Sequence, residues 1–491
     1  KLLYLRTNKG NRDLTQLVLL NVNTGTETFV EQDPMKRVDL SGVVFSEVTN
    51  EIVATTYNDD KVRISWKDKG YQSDYKWLQK KLPGKEISIG SRTADERIFK
   101  IDASSDTDPG SVYFFDRNKK KLKLQYTIRK NLPRKALTKM KPIRYKSSDG
   151  LEIPAYLTLP KGVPAKNLPL VVNPHGGPWA RDSWGYDTFA QFLANRGYAV
   201  LQMNFRGSTG YGKKFLDAGN GEWGDLMQDD ITWGVKHLVD KGIVDPKRVG
   251  IMGGSYGGYA TLAGVTYTPD TYAAAVAIVA PSNLITLLEA IPPYWESIRT
   301  MFHKRMGDPN TEEGKKQLIR QSPLTHAGKI KTPLLVVQGA NDPRVNKRES
   351  DQIVIALRDR NYPVEYIVAP DEGHGFARPV NNLAMIASAE KFLAKHLGGR
   401  HQPSMTDAVK KRLGEITVDP KDVTMPKKVA MNKAAEVNLS GTWNLEADAG
   451  GQQVDITLVL KQTESAFDGT VSTEFGDGTV EKGKVSGSNF A

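Results

Sequence analysis

Val249-Gly250-Ile251-Met252-Gly253-Gly254-Ser255-Tyr256-Gly257-Gly258-Tyr259 decides the fold of this chain. Its first residues form a short apolar run of the kind that makes a buried strand, and a helical stretch begins at Tyr259. Ser255 therefore stands on a strand-to-helix turn. A turn this sharp strains the serine backbone, which small neighbours at Gly253 and Gly257 permit. It lifts the hydroxyl above the sheet and aims the amide of Tyr256 at a substrate oxygen. A glycine-rich turn that only packs a helix on a strand would share the pattern, but the strand–turn–helix context favours a nucleophile.

Outward from this turn the pattern repeats. Leu168–Val172, Tyr198–Met203, Arg248–Met252, Ala274–Val279, Pro333–Val337 and Pro363–Val368 are near-continuous apolar runs. Amphipathic stretches lie between them, at Phe189–Arg196, Asp225–Lys241, Gly257–Tyr267, Asn346–Arg360 and Pro379–Leu397. Strands of this kind suit a mostly parallel sheet with helices on both faces, so residues 136–400 are expected to be one α/β domain.

A serine hydroxyl needs a base. Of seven histidines, His237 and His396 fall in amphipathic helices, His303 and His326 in a polar insertion, and His401 beyond the last helix. His374 lies in Asp371-Glu372-Gly373-His374-Gly375-Phe376, just past the last parallel strand, where ligand and catalytic groups of open sheets collect. Its carboxylate partner is expected at Asp342, in Asn341-Asp342-Pro343-Arg344-Val345 after the preceding strand. The chain order Ser255, Asp342, His374 is that of α/β-hydrolases. Asp371 and Glu372 are rivals for the acid, although a helix cap or a solvated loop explains them as well. Donors for an oxyanion are expected from the Tyr256 amide and from the loop Asn173-Pro174-His175-Gly176-Gly177-Pro178.

His175-Gly176-Gly177-Pro178, Asn204-Phe205-Arg206-Gly207-Ser208-Thr209-Gly210-Tyr211-Gly212, Gly253–Gly258, Asn341–Val345 and Gly373–Phe376 together resemble the catalytic domain of the prolyl oligopeptidase family. The acylaminoacyl-peptidase-like branch is the most similar part of it. The resemblance implies an α/β-hydrolase domain beside a β-propeller, with Ser255 as nucleophile, His374 as base and Asp342 as its orienter. It also implies that Val345 lines the first specificity pocket and that Tyr256 borders it. Members close to prolyl oligopeptidase itself carry a tyrosine where this chain has His175, so a backbone donor from His175 or Gly176 is as apt as the His175 side chain. The aromatic insertion Pro292–Phe302, with Trp295, either adds pocket walls or packs a helix on the sheet edge.

Residues 1–135 read as short strands between turn clusters and fit two or three propeller blades, fewer than a closed propeller needs. An ordinary β-sandwich would give the same pattern. The family's paired glutamates for a substrate amino terminus have no Glu-Glu match there. Residues 401–436 are polar and read as a linker. Residues 437–491 return to period two and read as a small β-barrel-like module, cut short at Ala491. A chain starting at Lys1 is expected to be a fragment or to have lost a leader.

The net charge is +12. Residues 1–140 carry 27 Lys+Arg against 18 Asp+Glu, and residues 437–491 carry 3 against 8. The basic front lacks interleaved aromatics, so nucleic-acid binding is not expected. The absence of cysteine removes disulfides, thiolate metal sites and cysteine nucleophiles. No cofactor and no metal are expected, since no His-Glu-x-x-His or phosphate-cradling loop occurs. No membrane-spanning run occurs either. The compartment stays open, with a periplasmic or secreted setting favoured over the cytoplasm, and a homo-oligomer is left open. The expected activity is hydrolysis of short peptides through an acyl-enzyme, as in an oligopeptidase, acylaminoacyl-peptidase or dipeptidyl-peptidase. The alternatives are a carboxylesterase or broad acyl hydrolase, and a catalytically silent binding or scaffold protein.

Overall fold

The computed structural model describes residues 1–425, 439–448, 453–463, 466–473, 476–486 and 489–490. They fall into two compact units, Lys1–Thr424 and Met425–Ala491.

The front of the first unit holds three antiparallel meanders. β1 (Leu2–Thr7), β2 (Gln16–Asn21) and β3 (Glu27–Glu31) form one, and β4 (Leu40–Phe45), β5 (Ile52–Asn58) and β6 (Val62–Trp66) a second. β7 (Glu86–Arg92), β8 (Ile98–Ser105), β9 (Asp108–Asp116) and β10 (Lys121–Thr127) form a third. The third has the four strands of a propeller blade, and the first two have three strands each. Between β6 and β7 lies a helix, Lys69–Lys81, where only strands are expected from the sequence. Asp68 caps it by accepting from the Tyr71 amide at 2.7 Å, and Tyr71 and Leu78 bury its inner face against Phe99 and Phe115.

The catalytic-type domain is built on a nine-stranded sheet. Its strands are β11 (Met140–Lys146), β12 (Glu152–Thr158), β13 (Leu168–Val172), β14 (Ala199–Met203), β15 (Val244–Gly254), β16 (Ala274–Ile278), β17 (Leu334–Gly339), β18 (Val364–Ala369) and β19 (Thr417–Val418). The spatial order is β11-β12-β14-β13-β15-β16-β17-β18-β19, parallel from β14 through β18 and antiparallel at both ends. β13, β14, β16 and β17 are buried throughout their length. Their side chains alternate between two cores, with Leu170, Leu201 and Val336 in one and Val171, Val200 and Val337 in the other, as a sheet covered on both faces requires.

Residues 401–424, expected as part of a linker, instead complete this domain. The helix Asp407–Ile416 buries Val409 and Ile416 in the second core, β19 pairs with β18, and Val423 enters the first core. Met405 and Leu413 add partly buried contacts to the second core and Val418 to the first. Residues 426–436 of the expected linker lie outside the described residues. In the second unit, β20 (Gly441–Asp448), β21 (Gln453–Thr463), β22 (Ala466–Thr473), β23 (Gly476–Ser486) and β24 (Asn489–Phe490) form an antiparallel meander in chain order over Leu439, Leu460 and Phe467.

Candidate active site

β15 ends at Gly254, and the next residue adopts φ +59° and ψ −121° before the helix Tyr256–Tyr267 begins. A non-glycine residue at positive φ is strained, and here the strain belongs to Ser255. The glycines around it are needed for close approach. A Cβ on Gly253 would lie 2.4 Å from the Gly257 carbonyl oxygen, and one on Gly257 would lie 2.2 Å from that of Pro174. Ser255 itself is tied to the neighbouring strand by its amide, which donates to Ile278 at 3.0 Å. The Tyr256 amide is the first of the helix and so has no intrahelical acceptor.

β17 and β18 deliver two more groups to the same edge. Asp342 is 4% exposed, and its Oδ1 accepts from the amides of Arg344 (2.9 Å) and Val345 (3.0 Å). Its Oδ2 accepts from Nδ1 of His374 at 2.7 Å. His374 stands at the apex of a three-residue turn closed by the Gly375 amide on the Gly373 carbonyl at 2.8 Å. The two loops are pressed together: a Cβ on Gly339 would lie 2.1 Å from the Gly373 oxygen. An imidazole that spends Nδ1–H on a buried carboxylate keeps Nε2 to take a proton.

The rival carboxylates are engaged elsewhere. Glu372 accepts from the amides of Ala377 (3.0 Å) and Arg378 (2.9 Å), capping the approach to the helix Pro379–Leu397. Asp371 pairs with Arg412 and accepts from Asn381 at 3.1 Å. Arg412 comes from the stretch beyond residue 400, so that segment braces the histidine loop. His237 lies beside Tyr145, and His326 meets the Arg320 carbonyl at 2.8 Å.

The His175 loop lies on the serine turn. Asn173 donates to the Met252 carbonyl at 2.6 Å, and a Cβ on Gly176 would sit 3.4 Å from that of Ser255. The His175 ring stacks on Phe205 with centroids 4.3 Å apart, its Nδ1 bonds the Gly176 carbonyl at 2.7 Å and its Nε2 meets Ser208 Oγ at 2.9 Å. Lost hydration pulls its pKa down to about 4, with the nearby Arg181 adding to the effect and the Gly176 carbonyl opposing it. At neutral pH the ring is uncharged and both nitrogens are occupied. The His175 side chain is therefore not free to donate to a substrate.

A narrow cleft of ≈ 50 Å³ opens beside Ser255. Tyr256, Val345 and Trp295 line it together with Trp223, Phe302, Leu287 and Ile291. The insertion thus supplies a wall and does not only pack on the sheet edge. Trp223 meets the Tyr256 ring edge-on at 4.6 Å, and the Arg344 guanidinium lies 5.5 Å from the Trp295 ring. Sequence reasoning missed Trp223 and also Glu349. Glu349 is buried and accepts from the amides of Ser282 and Asn283, both at 2.9 Å, which fixes the chain leading from Pro281 into the cleft wall. A charged residue on the inward face of Lys347–Arg358 was the signal available for it.

Within Asn204–Gly212 the buried Arg206 binds Asp230 (2.8 and 2.9 Å) and Asp149 (2.9 and 3.0 Å), so this motif supports the sheet edge. Among the described residues no group of three or more acidic or histidine side chains is placed to hold a metal, and no helix is long and apolar enough to cross a membrane.

The family model that matches the chain, over residues 184–400, is that of the prolyl oligopeptidase family. The α/β domain belongs to the prolyl oligopeptidase family. Dipeptidyl aminopeptidase BIII of Pseudoxanthomonas mexicana is 47% identical over 412 residues, 82% of this chain and 59% of the relative. Dipeptidyl peptidase family member 6 of Caenorhabditis elegans is 39% identical over 75% of this chain and 53% of its own. The chain thus spans little more than half the length of these curated relatives. A puromycin-hydrolysing peptidase of Mycobacterium tuberculosis superposes with a TM-score of 0.68 at 24% identity, covering 82% of this chain and 61% of that one. Pyrococcus horikoshii acylaminoacyl peptidase gives 0.64 at 21% identity, over 84% and 64%. At these identities the two structures share a fold with this family member, an α/β-hydrolase domain behind part of a propeller.

Proposed function

We propose that this chain carries the hydrolytic centre of a serine peptidase that cuts short peptides through an acyl-enzyme, with the release of amino-terminal dipeptides as its main reaction. The observation that carries the reading is the Asp342–His374 hydrogen bond of 2.7 Å at the sheet edge that also presents the strained Ser255. Ser255 Oγ attacks the carbonyl while His374 Nε2 takes its proton. Asp342 holds the tautomer and stabilises the imidazolium, and the proton then passes to the leaving amine. The tetrahedral oxyanion is received by the Tyr256 amide and a backbone amide of the His175–Gly176 loop. The side chain preceding the cut enters the cleft of Tyr256, Val345 and Trp295. The dipeptide preference rests on the names of the two curated relatives.

A substrate panel tests this. Free-amine dipeptidyl anilides, N-acetyl-aminoacyl anilides and p-nitrophenyl esters are compared by kcat/KM, with Ser255→Ala as control. Turnover of the dipeptidyl anilides above the acetylated ones is expected, and Ser255→Ala should abolish it. Turnover of the esters alone would replace peptidase by esterase.

A further inference from the structure

Ser208 lies 33 residues from His175 in sequence, is fully buried, and touches no reacting atom of the mechanism above. We propose that Ser208 is a positioning residue for the oxyanion hole, which it aligns by locking the His175 ring and through it the Pro174–Gly177 backbone over Ser255. The inference deepens the peptidase reading and rests on it.

The direction of each hydrogen bond follows from the partners. A carbonyl can only accept, so His175 Nδ1, 2.7 Å from the Gly176 oxygen, carries the proton. Nε2 of the neutral ring is then an acceptor, and the group 2.9 Å away must donate: Ser208 Oγ–H is that donor. The lock is anchored independently of the histidine. The Ser208 amide donates to Phe205 at 3.0 Å and the Gly207 amide to Phe215 at 3.0 Å, so the serine belongs to a tight turn with its own bonds. Phe205 closes the third side by stacking on the imidazole and leaning on the Tyr256 ring at 5.1 Å. A ring held on two edges and one face cannot turn without dragging its own backbone. That backbone has little freedom, because the Pro174 oxygen fills the space of the missing Gly257 side chain and Gly176 packs on Ser255. Small displacements of a preorganised donor are costly in rate.

The test is a double-mutant cycle on dipeptidyl anilides, with active enzyme counted by end-point titration of Ser255 with a fluorophosphonate. Ser208→Ala is expected to lower kcat by about tenfold or more with KM within about twofold, since the donor acts mainly in the transition state. Ser208→Thr, which keeps the hydroxyl, should restore most of kcat. Ser208→Cys, a weak donor of similar size, should lower kcat as Ala does and serves if the Ala variant does not fold. In a His175→Ala background, adding Ser208→Ala should change nothing further. An unchanged kcat in both Ser208→Ala and Ser208→Cys, a loss confined to KM, or equal losses with and without His175 would overturn the positioning role. If the parent protein neither reacts with the fluorophosphonate nor cleaves the anilides, the peptidase reading itself falls and takes this one with it. An active parent with an indifferent Ser208 removes this inference alone.

Discussion

His374 Nδ1 donates to Asp342 Oδ2 at 2.7 Å, and the other oxygen of Asp342 is held by two backbone amides of its own loop. With both oxygens bonded, the carboxylate can neither rotate away nor be replaced by a neighbour. Asp342→Asn should keep the fold and reduce kcat by about 10⁴-fold, since the amide favours the wrong imidazole tautomer. Asp371→Asn should change kcat by no more than about threefold, because Asp371 faces Arg412 and Asn381. Steady-state kinetics of the two variants check this, and the opposite ranking would move the acid to Asp371.

Gly257 sits where the serine turn and the His175 loop meet, and a Cβ there would lie 2.2 Å from a backbone oxygen that no side-chain rotation can relieve. Gly257→Ala should slow fluorophosphonate labelling of Ser255 by about 100-fold or more and lower the melting temperature. Gly328→Ala, where a Cβ would meet nothing within 4 Å, should do neither. Equal behaviour of the two variants would mean that the close approach does not shape the site.

The parts of this site that were legible in the sequence are those that local chemistry dictates. Gly253–Gly258 is readable because only such a run can make the turn. Asp342 and His374 are readable because each directly follows a buried apolar strand. The helix Lys69–Lys81 is hard to read because Tyr71, Tyr75, Leu78 and Leu82 are spaced for a helix but sit among seven charged or amide side chains and between strands. The stretch 401–424 reads as a linker because Val409, Leu413 and Ile416, although spaced for a helix, cover barely two turns among charged side chains, and only tertiary contacts with the second core cover them. Trp223 lines the cleft and Glu349 braces the chain behind its wall, each from a separate part of the chain, and nothing in the sequence near either one points to Ser255.

Asp182 belongs to the loop between β13 and the next helix, beside Arg181, which reaches the Asn58 carbonyl at 2.6 Å. One of its carboxylate oxygens is buried without a hydrogen-bond partner among the described residues. Burial pushes its pKa up to about 8, the nearby Asp187 adds to this, and Arg181 opposes it. The unfolded chain ionises this group near its ordinary value of about 4. Between those two pH values the folded state holds a proton that the unfolded state has lost, so stability falls as pH rises through the window. Asp182→Asn has no charge to bury. Its stability gain over the parent should be near zero at pH 4 and grow to about 2–4 kcal/mol by pH 8. Denaturant unfolding at several pH values measures the gap, and a gap that does not change with pH would show that Asp182 is ionised in the folded protein.

Val345 joins the Asp342 loop to the cleft beside Ser255, since its amide donates to Asp342 at 3.0 Å while its side chain, 3% exposed, lines that ≈ 50 Å³ space. A cleft this narrow, walled by Tyr256 and Trp295, leaves no room for four more side-chain carbons. Val345→Phe should therefore lower kcat/KM by about 10²-fold for anilides with a large apolar residue before the cut, and by much less for those with alanine or glycine there. Reaction with a small fluorophosphonate should stay within about threefold of the parent, because the serine, its base and the oxyanion donors are untouched. Trp295→Ala removes the opposite wall and should shift preference toward bulkier residues. If Val345→Phe slows all substrates and the fluorophosphonate alike, the substitution has disturbed the Asp342 loop and the cleft is not where the substrate side chain goes.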